Sequence, residues 1–207
     1  MTVEEVERLS KMKEYENICY DNNIEMVCGV DEAGRGPLCG PVIAAAVILP
    51  KDTYIEGIND SKKLTEKKRE KLIDEIYEKA ISVSYSLVWQ DEIDQINILQ
   101  ATKKAMKQAV EGLDVKAEFA LIDGNQGIDI SIPFKTVVKG DSKSQSIAAA
   151  SIVAKVTRDR LIVELDKKYP KYGFAKHKGY GTKAHIAAIR EYGICDLHRK
   201  TFCKNFI

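Results

Sequence analysis

Three acidic positions in the sequence follow short apolar runs and are candidates for a metal site. Asp31 and Glu32 follow "MVCGV", Asp123 ends "EFALID", and Asp141 comes shortly after "PFKTVV". Buried carboxylates are costly without partners, and like charges held close together must either raise their pKa values or share a cation. Oxygen ligands suit Mg²⁺ or Mn²⁺, whereas zinc calls for His or Cys. If the three predicted strands are neighbours, these four carboxylates form a site for hard divalent ions.

Such a site suits the hydrolysis of phosphodiesters. Mg²⁺ binds one or two carboxylates, keeps several waters and completes its shell with phosphate oxygens of a substrate. Two ions about 4 Å apart can activate water on one side and stabilise the leaving oxygen on the other. One difficulty is geometric, because adjacent residues of a regular strand point to opposite faces. We therefore expect the strand to end at Asp31, or the side chain of Glu32 to curl back toward it.

Two glycine-rich stretches and one lysine-rich stretch are candidates for contacts with a phosphate or a sugar. In "AGRG", Gly34 and Gly36 let backbone amides approach a ligand and Arg35 supplies a charge-assisted contact, with a flexible turn as the alternative. In "NDSKKL", Lys62 stands ahead of a helix, where phosphates bind well, although these residues also suit a simple cap. In "KHKGYGTKAH", Tyr180 suits stacking on a base or a sugar, although an exposed loop tyrosine is usually incidental.

Alternating strands and helices are expected to position these side chains. The runs "MVCGV" and "PVIAAAVIL" predict neighbouring strands, and "ISVSYSLVW" alternates apolar residues with serine as a half-buried strand does. "EFALID" is apolar on both faces, as expected of a central strand, and "PFKTVV" is a further strand. Helices are predicted over "LTEKKREKLIDEIYEKA", from about Asp91 to Leu113, and over "SKSQSIAAASIVAKVTRDRLIVELDKKY". This order predicts an α/β domain built on one sheet.

The length of 207 residues suits one well-filled core. We expect an N-terminal helical extension over residues 1–25 and a catalytic domain over residues 26–207. The formal charge of +1 conceals an asymmetry, because residues 134–207 hold 16 Lys and Arg against 6 Asp and Glu, a net charge of +10, and the remainder by difference carries −9. A basic C-terminal third suits a surface that faces a polyanion, with an ordinary solvated face as the alternative.

The composition argues against several classes of protein. No run of about 18 apolar residues is present, so we expect no membrane association, and the charged N-terminus lacks the apolar core of a signal peptide. The five cysteines lack any C-x-x-C pair, which argues against a disulfide framework and suits a reducing compartment. The cytoplasm is the expected location, and nothing in the sequence requires more than a monomer.

The histidines and the C-terminal cysteines predict no second chemistry. Cys195 and His198 form a lone C-x-x-H without a matching pair, which does not predict zinc. Cleavage of RNA by its own 2′-hydroxyl requires acid–base histidines, and none accompanies the carboxylates. We expect His177 and His185 to lie at the surface or to contact phosphate.

Five sequence blocks together resemble the bacterial ribonuclease HII family, the type 2 ribonucleases H. They are "GVDEAGRGPLCGPVIAAAVIL", "INDSKKL", "LIDGN", "KGDSKSQSIAAASIVAKVTRDR" and "HKGYGTKAH", in the order of the family between Val27 and His198. The resemblance implies a ribonuclease H-like mixed sheet flanked by helices, with a helical C-terminal segment. It also implies an endoribonuclease that hydrolyses the RNA strand of RNA–DNA hybrids and incises at single ribonucleotides embedded in duplex DNA. The implied products carry 5′-phosphate and 3′-hydroxyl ends and arise by two-metal-ion catalysis.

The same resemblance implies residue roles. The catalytic and metal-binding acids of the family fall on Asp31, Glu32, Asp123 and Asp141. The implied cofactor is Mn²⁺ or Mg²⁺. The family reads the 2′-hydroxyl at the junction between RNA and DNA with the stretch that is Gly34–Gly36 here, and packs the residue that is Tyr180 here on the sugar of the following deoxynucleotide.

The departures from the family pattern are small, and two alternatives stay open. Cys39 stands where the family has Ala, and Arg35, with so few residues before Asp31, separates the chain from ribonuclease HIII. One alternative is another ribonuclease H-like nuclease, such as a DNA resolvase or transposase core, which needs no ribonucleotide. The other is a non-catalytic, Mg²⁺-dependent phosphoacceptor domain, whose mark would be stable phosphorylation of one Asp.

Overall fold

Five strands form one mixed sheet in the computed structural model, which describes residues 1–207. In chain order they are β1 (Val27–Ala33), β2 (Val42–Ile48), β3 (Ser82–Val88), β4 (Phe119–Asp123) and β5 (Phe134–Val137). Their order across the sheet is β3-β2-β1-β4-β5. Strands β1, β4 and β5 run parallel, and β2 is antiparallel to both of its neighbours. The strands that precede the acids are therefore adjacent, which is the condition set for a shared metal site, and their C-terminal ends lie along one edge of the sheet.

Helices cover both faces of the sheet, as the predicted α/β architecture requires. They are α1 (Val3–Lys11), α2 (Glu14–Asp21), α3 (Glu66–Lys79), α4 (Gln90–Glu111), α5 (Gln145–Asp166), α6 (Phe174–His177), α7 (Lys183–Tyr192) and α8 (Lys200–Cys203). A first 3-10 turn (Ser61–Lys63) precedes α3, and a second (Gly140–Ser142) precedes α5. Helix α4 packs on one face, and α3 and α5 lie on the other. No helix has both the length and the apolar composition needed to cross a membrane.

Helix α5 lies directly against β1 because Gly29 has no side chain. A Cβ atom at Gly29 would lie 2.1 Å from the carbonyl carbon of Ser146 and 2.2 Å from the backbone nitrogen of Ile147. Further along α5, the hydroxyl of Ser151 is 2.9 Å from that of Ser61 in the first 3-10 turn. The N-terminal half of α5 is buried on every side, as predicted, and it lies beneath the strand that carries the first two acids.

The strand with serine alternation is present as β3, but it forms an edge of the sheet. It pairs with β2 alone, from Ser82 opposite Ile48 to Val88 opposite Val42. The side chain of Tyr85 at its centre is exposed. The period-two pattern therefore predicts the strand correctly but overstates its burial, because an edge strand has a neighbour on one side only.

Helix α4 confirms the helix predicted from about Asp91 to Leu113, with one interruption. Asn97 has φ +68° and ψ 164°, which no helix accommodates. Its side-chain oxygen accepts hydrogen bonds from the amides of Leu99 (3.0 Å) and Gln100 (3.2 Å), so that it caps a second helical segment. The change of direction falls next to Ile98, which lines the groove described below.

Residues 1–25, predicted as a helical extension, contain helices α1 and α2. Leu9 and Met12 are buried in the same core as β2, α3 and α5. The ammonium group of Lys13 donates hydrogen bonds to the backbone carbonyls of Lys51 and Thr53. Both helices therefore pack on the rest of the chain, and the domain boundary at residue 25 stays a prediction.

Glu16 on α2 fixes the start of α5. Its Oε1 atom accepts hydrogen bonds from the hydroxyl of Ser144 (2.7 Å) and the amide of Ser146 (3.0 Å). The amide of Gln145 donates to the carbonyl of Met12 at 2.8 Å. Burial raises the pKa of the Glu16 carboxyl, whose Oε2 atom has no partner. Because α5 follows the second 3-10 turn directly, these contacts also restrain the loop that carries an acid of the site.

Replacing Glu16 with Ala is expected to lower the free energy of unfolding by about 2 kcal/mol, because two buried donors at the start of α5 lose their acceptor. Glu16→Gln is the matched control, since its amide keeps one acceptor oxygen and removes the unpartnered charge. Chemical denaturation of the three proteins measures the effect. Equal stability of Glu16→Ala and the wild type would contradict this account of the helix start.

Candidate active site

The first two acids lie inside a regular strand and not at its end. Asp31 is paired with Ala45 and Glu32 with Ala44 of β2. The expectation that the strand ends at Asp31 is therefore wrong, because the ladder with β2 continues past both acids. Asp31 is 4% exposed and faces α5, where the hydroxyl of Ser151 favours its ionised form. Glu32 leaves the opposite face of β1, on the side of α4.

The other two acids follow the neighbouring parallel strands. Asp123 is the last residue of β4, and its Oδ1 atom accepts the amide hydrogen of Gly140 at 2.6 Å. Asp141 follows Gly140 in the second 3-10 turn and is 8% exposed. Lys139, just before the turn, has a left-handed backbone with φ +56°. One hydrogen bond thus ties the loop after β5 to the end of β4 and brings the two acids together.

Burial and mutual repulsion raise the pKa values of the first two acids. The pKa of Asp31 lies well above its usual range because of burial and the charges of Glu32 and Asp123. Burial also raises the pKa of Glu32, with a contribution from Asp123, although the guanidinium of Arg35, 3.5 Å from Glu32 Oε1, opposes the shift. These carboxylates are therefore close enough to destabilise one another's charged forms.

Asp60 belongs to the same set of acids, although sequence reasoning misses it. Burial and the charges of Asp60 and Asp123 raise the pKa of Asp141 to about 6. Asp60 Oδ1 also accepts the amide hydrogen of Lys62 at 2.8 Å and caps the first 3-10 turn. The one signal in the sequence is its place before Ser61 in "NDSKKL", where a helix cap is expected. This carboxylate therefore connects the first 3-10 turn with the second.

The donor set fits a hard divalent cation. Burial lowers the pKa of Lys62, but the carboxylates of Asp31, Asp60, Asp141 and Glu32 raise it by more, so one ammonium group lies among four acids. Their donors are all oxygen, as Mg²⁺ and Mn²⁺ prefer. No three acidic, His or Cys side chains are arranged to enclose an ion in this structure, so the carboxylates must turn toward one to bind it. The excess of negative charge favours that change.

A groove of about 480 Å³ beside Glu32 brings together the residues predicted to bind substrate. Its lining includes Gly34, Arg35, Gly36, Lys62 and Tyr180. Sequence reasoning misses Ile98 and Phe202, which add apolar surface to the groove. The other three predicted acids lie outside the lining. The groove thus joins the "AGRG" stretch, the first 3-10 turn and the C-terminal loop, which are far apart in the sequence.

Tyr180 projects from a loop that packs on the "AGRG" segment. It is 43% exposed, and the ammonium group of Lys155 lies 6.0 Å from its ring centre. Gly179 has φ +84°, and a Cβ atom there would lie 2.7 Å from the sulfur of Cys39. Gly36 is close on the other side, since its Cβ atom would lie 3.5 Å from the ring of Tyr180. A flat, exposed ring is therefore held beside the glycine backbone of the "AGRG" stretch.

The histidines lie behind this loop and not on the substrate side. His185 is fully buried, and its Nε2 atom is 3.1 Å from Nε2 of His198. Its Nδ1 atom is 3.0 Å from the carbonyl oxygen of Tyr180. Burial lowers the pKa of His185 to about 4. The expectation that His185 lies at the surface or contacts phosphate is wrong, because it packs beneath the loop among aromatic rings.

The raised pKa of Asp141 predicts how the metal-free protein responds to pH. The folded protein holds this proton up to about pH 6, whereas in the unfolded chain the carboxyl has the ordinary aspartate pKa of 3.8. Folding therefore favours the protonated form, and stability falls as pH rises between these values. The difference in melting temperature between wild type and Asp141→Asn, measured in chelator from pH 4 to 7, isolates this effect. A parallel pH dependence in the two proteins would contradict it.

Comparisons with known proteins identify the family of the chain. The family model described as Ribonuclease HII matches residues 28–205. Ribonuclease HII of Acetivibrio thermocellus is 59% identical over 203 residues, which cover 98% of this chain and 79% of that protein. Ribonuclease HII of Bacillus cytotoxicus is 55% identical over 199 residues, which cover 96% and 76%.

Two solved structures share the fold. The crystal structure of ribonuclease H2 from Pyrococcus horikoshii OT3 has a TM-score of 0.72 and 29% identity, covering 87% of this chain and 96% of that one. Ribonuclease HII of Archaeoglobus fulgidus, solved in complex with PCNA, has a TM-score of 0.73 and 27% identity over the same shares. These matches confirm the ribonuclease H-like fold and the resemblance found in the five sequence blocks. The chain belongs to the ribonuclease HII family and is an endoribonuclease that hydrolyses the RNA strand of RNA–DNA hybrids.

Proposed function

We propose that the protein also incises duplex DNA at single embedded ribonucleotides, and that Mn²⁺ or Mg²⁺ ions are held by Asp31, Glu32, Asp123 and Asp141. The observation that carries this proposal is the groove, because it joins an acid of the site to exposed glycine backbone and an exposed tyrosine. A single 2′-hydroxyl distinguishes RNA from DNA, so a site that reads one nucleotide needs close backbone contact at that point. Gly34–Gly36 supplies that backbone.

Different residues of the site have different roles in cleavage. The four acids would hold the ions, which when bound supply an activated water and stabilise the leaving 3′-oxygen. Arg35 and Lys62 lie on the substrate side of the acids and balance the charge of the phosphates. Tyr180 packs on the sugar of the deoxynucleotide that follows the ribonucleotide, and so orients the strand across the carboxylates. The products carry a 5′-phosphate and a 3′-hydroxyl.

Cleavage of a labelled DNA duplex with one ribonucleotide, with Mg²⁺ or Mn²⁺, tests the proposal. We expect wild type to cut beside the ribonucleotide and Asp123→Asn not to cut. An all-DNA duplex is the substrate control, since a resolvase or transposase core would also cut that duplex. Cutting of long hybrids alone would contradict junction recognition. No cutting with either ion, together with stable phosphorylation of one Asp, would favour a phosphoacceptor domain.

Replacing Tyr180 with Ala is expected to raise KM for the single-ribonucleotide duplex about tenfold, because stacking on an aromatic ring contributes roughly 1–3 kcal/mol per contact. Tyr180→Phe keeps the ring and is expected to stay within about twofold of wild type. Tyr192→Ala removes a ring of similar exposure, 45% against 43%, on helix α7 and is the matched control. Steady-state kinetics on the same duplex provides the measurement, and equal KM values for the two Ala variants would contradict the assignment.

We also propose that the protein acts in the cytoplasm as a monomer. All five cysteines are free thiols and four are buried, which suits a reducing compartment. The groove and the four acids belong to a single chain, so the proposed site needs no residue from a second subunit. Sedimentation equilibrium at micromolar concentration tests the monomer, and a stable dimer would contradict it.

A further inference from the structure

A buried arginine organises the "AGRG" segment from behind. Arg199 is 0% exposed and forms no salt bridge, although the more distant charge of Asp94 partly offsets the lowering of its pKa by burial. Its Nη2 atom donates to the carbonyl oxygens of Gly34 (2.6 Å) and Gly40 (2.9 Å), and its Nη1 atom donates to those of Arg35 (3.0 Å) and Pro37 (2.8 Å). Its Nε atom makes a second contact with the carbonyl of Gly40 at 3.1 Å. One guanidinium therefore donates hydrogen bonds to four backbone carbonyls within the seven residues from Gly34 to Gly40.

The direction of these carbonyls determines the direction of the amides. In a trans peptide the C=O and N–H groups point to opposite sides, and the chain contains no cis peptide. Since the carbonyls of Gly34 and Arg35 point at the guanidinium, the amide hydrogens of Arg35 and Gly36 point away from it. Neither amide donates a hydrogen bond within the protein, and both residues are exposed in the groove. Two free donors therefore face the substrate side.

The peptide group between Pro37 and Leu38 shows the same relation. The carbonyl of Pro37 accepts from Arg199, and the amide of Leu38 donates to the carbonyl of Gly179 at 2.8 Å. Gly179 directly precedes Tyr180. The guanidinium thus also orients the amide that joins the "AGRG" segment to the tyrosine loop, so both sides of the groove depend on it.

We propose that Arg199 is a positioning residue for ribonucleotide recognition, which holds the peptide groups of Gly34 and Arg35 so that the amides of Arg35 and Gly36 meet the ribose. This proposal rests on the proposed reading of the 2′-hydroxyl by Gly34–Gly36. A buried cation without a carboxylate is costly unless every donor finds an acceptor. The loop satisfies the guanidinium only in this shape, so the buried charge selects one orientation of the exposed amides.

Binding by catalytically inactive protein tests the proposal. With Asp123→Asn as the parent and Mg²⁺ present, the affinity for a duplex with one ribonucleotide is compared with that for the same duplex in DNA. The ratio of the two dissociation constants is the preference for the 2′-hydroxyl. We expect the added change Arg199→Lys to lower this preference at least about tenfold, because an ammonium group lacks the planar fork that reaches all four carbonyls. A general loss of stability would weaken both complexes alike and leave the ratio unchanged.

Arg158→Lys is the matched control. Arg158 is 1% exposed and likewise donates to three backbone carbonyls, those of Cys39, Pro41 and Lys178. It does not donate to the carbonyls of Gly34 and Arg35. The side chain of Arg158 also packs on Gly34, where an added Cβ atom would lie 2.5 Å from its Cδ atom, and Lys keeps this carbon. We expect the preference of Arg158→Lys to stay within about twofold of the parent, because Arg199 still holds the carbonyls of Gly34 and Arg35. Equal losses in both variants, or no loss with Arg199→Lys, would overturn the proposal. No preference in the parent would instead contradict the proposed reading of the 2′-hydroxyl.

If circular dichroism shows that Arg199→Lys does not fold, amide hydrogen exchange of the parent protein provides the second measurement. The amides of Arg35 and Gly36 are expected to exchange more slowly in the complex with the ribonucleotide duplex than in the complex with all-DNA duplex. Equal protection in the two complexes would overturn the proposal, because the amides would then not face the ribose.

Discussion

Asp31→Asn is expected to abolish cleavage and to make the metal-free protein more stable. Cleavage should fall by about a thousandfold or more, equivalent to about 4 kcal/mol of transition-state stabilisation, because Asn supplies no charge to hold an ion. Stability should rise by about 1–2 kcal/mol at pH 8 in chelator, because burial and the charges of Glu32 and Asp123 disfavour the ionised Asp31 carboxyl. Single-turnover cleavage and thermal melts measure the two effects.

The gain in stability from Asp31→Asn is expected to depend on pH. The gain in stability should vanish in acid, since the Asp31 carboxyl is then protonated and no longer repels its neighbours. Asp129→Asn is the control, because Asp129 is an exposed acid paired with Lys107 at 2.8 Å, and its loss should leave cleavage unchanged. Residual cleavage above a tenth of wild type in Asp31→Asn, or a lower melting temperature in chelator at pH 8, would contradict this account of the site.

Gly29→Ala is expected to cause the largest loss of stability of any single methyl group added to the sheet. The new Cβ atom would lie 2.1 Å from the carbonyl carbon of Ser146 and 2.2 Å from the backbone nitrogen of Ile147, at the start of α5. Backbone cannot rotate away as a side chain does, so the helix must move off β1. We expect a loss of about 3 kcal/mol or more in the free energy of unfolding, measured by chemical denaturation.

Gly57→Ala is the control that separates the cost of close packing at Gly29 from the cost of an unfavourable backbone conformation. Gly57 has φ +76°, so its substitution carries the cost of a left-handed residue, about 1–2 kcal/mol, but nothing lies within 4 Å of the added carbon. The excess loss in Gly29→Ala measures the contact between β1 and α5. Cleavage should fall together with stability in that variant alone, because the same contact supports Asp31. Similar losses in both variants would show that this close approach is unimportant.

The fold was largely predictable because its signals are local. The apolar runs before Asp31, Asp123 and Asp141 predict strands, and the sheet order shows that these three strands are neighbours, although β1 continues past Asp31. The burial of β3 was not predictable from its alternation, because position at the edge of a sheet depends on pairing with distant residues. The break at Asn97 likewise has no apolar signature, since the periodic pattern continues through it.

The sequence points to the four acids of the candidate site but much less to the residues that support them. Carboxylates stand out because their charge must be neutralised, but Asp60 resembles any helix cap until its contact with Asp141 is known. Arg199 gives no local signal, since its carbonyl partners lie about 160 residues earlier in the chain. From the sequence, His185 resembles a surface residue next to a basic loop, and the structure shows that it is fully buried.

The contact between Glu16 and the start of α5 also orders events during synthesis of the chain. Glu16 and Ser144 are 128 residues apart, so the ribosome must add most of the protein before α2 can reach its final position. Contacts of such long range are slow to form, and the segments that await them stay accessible to other molecules. Helix α2 therefore reaches its final position only after α5 is made, and α5 completes the packing of both the sheet and α2.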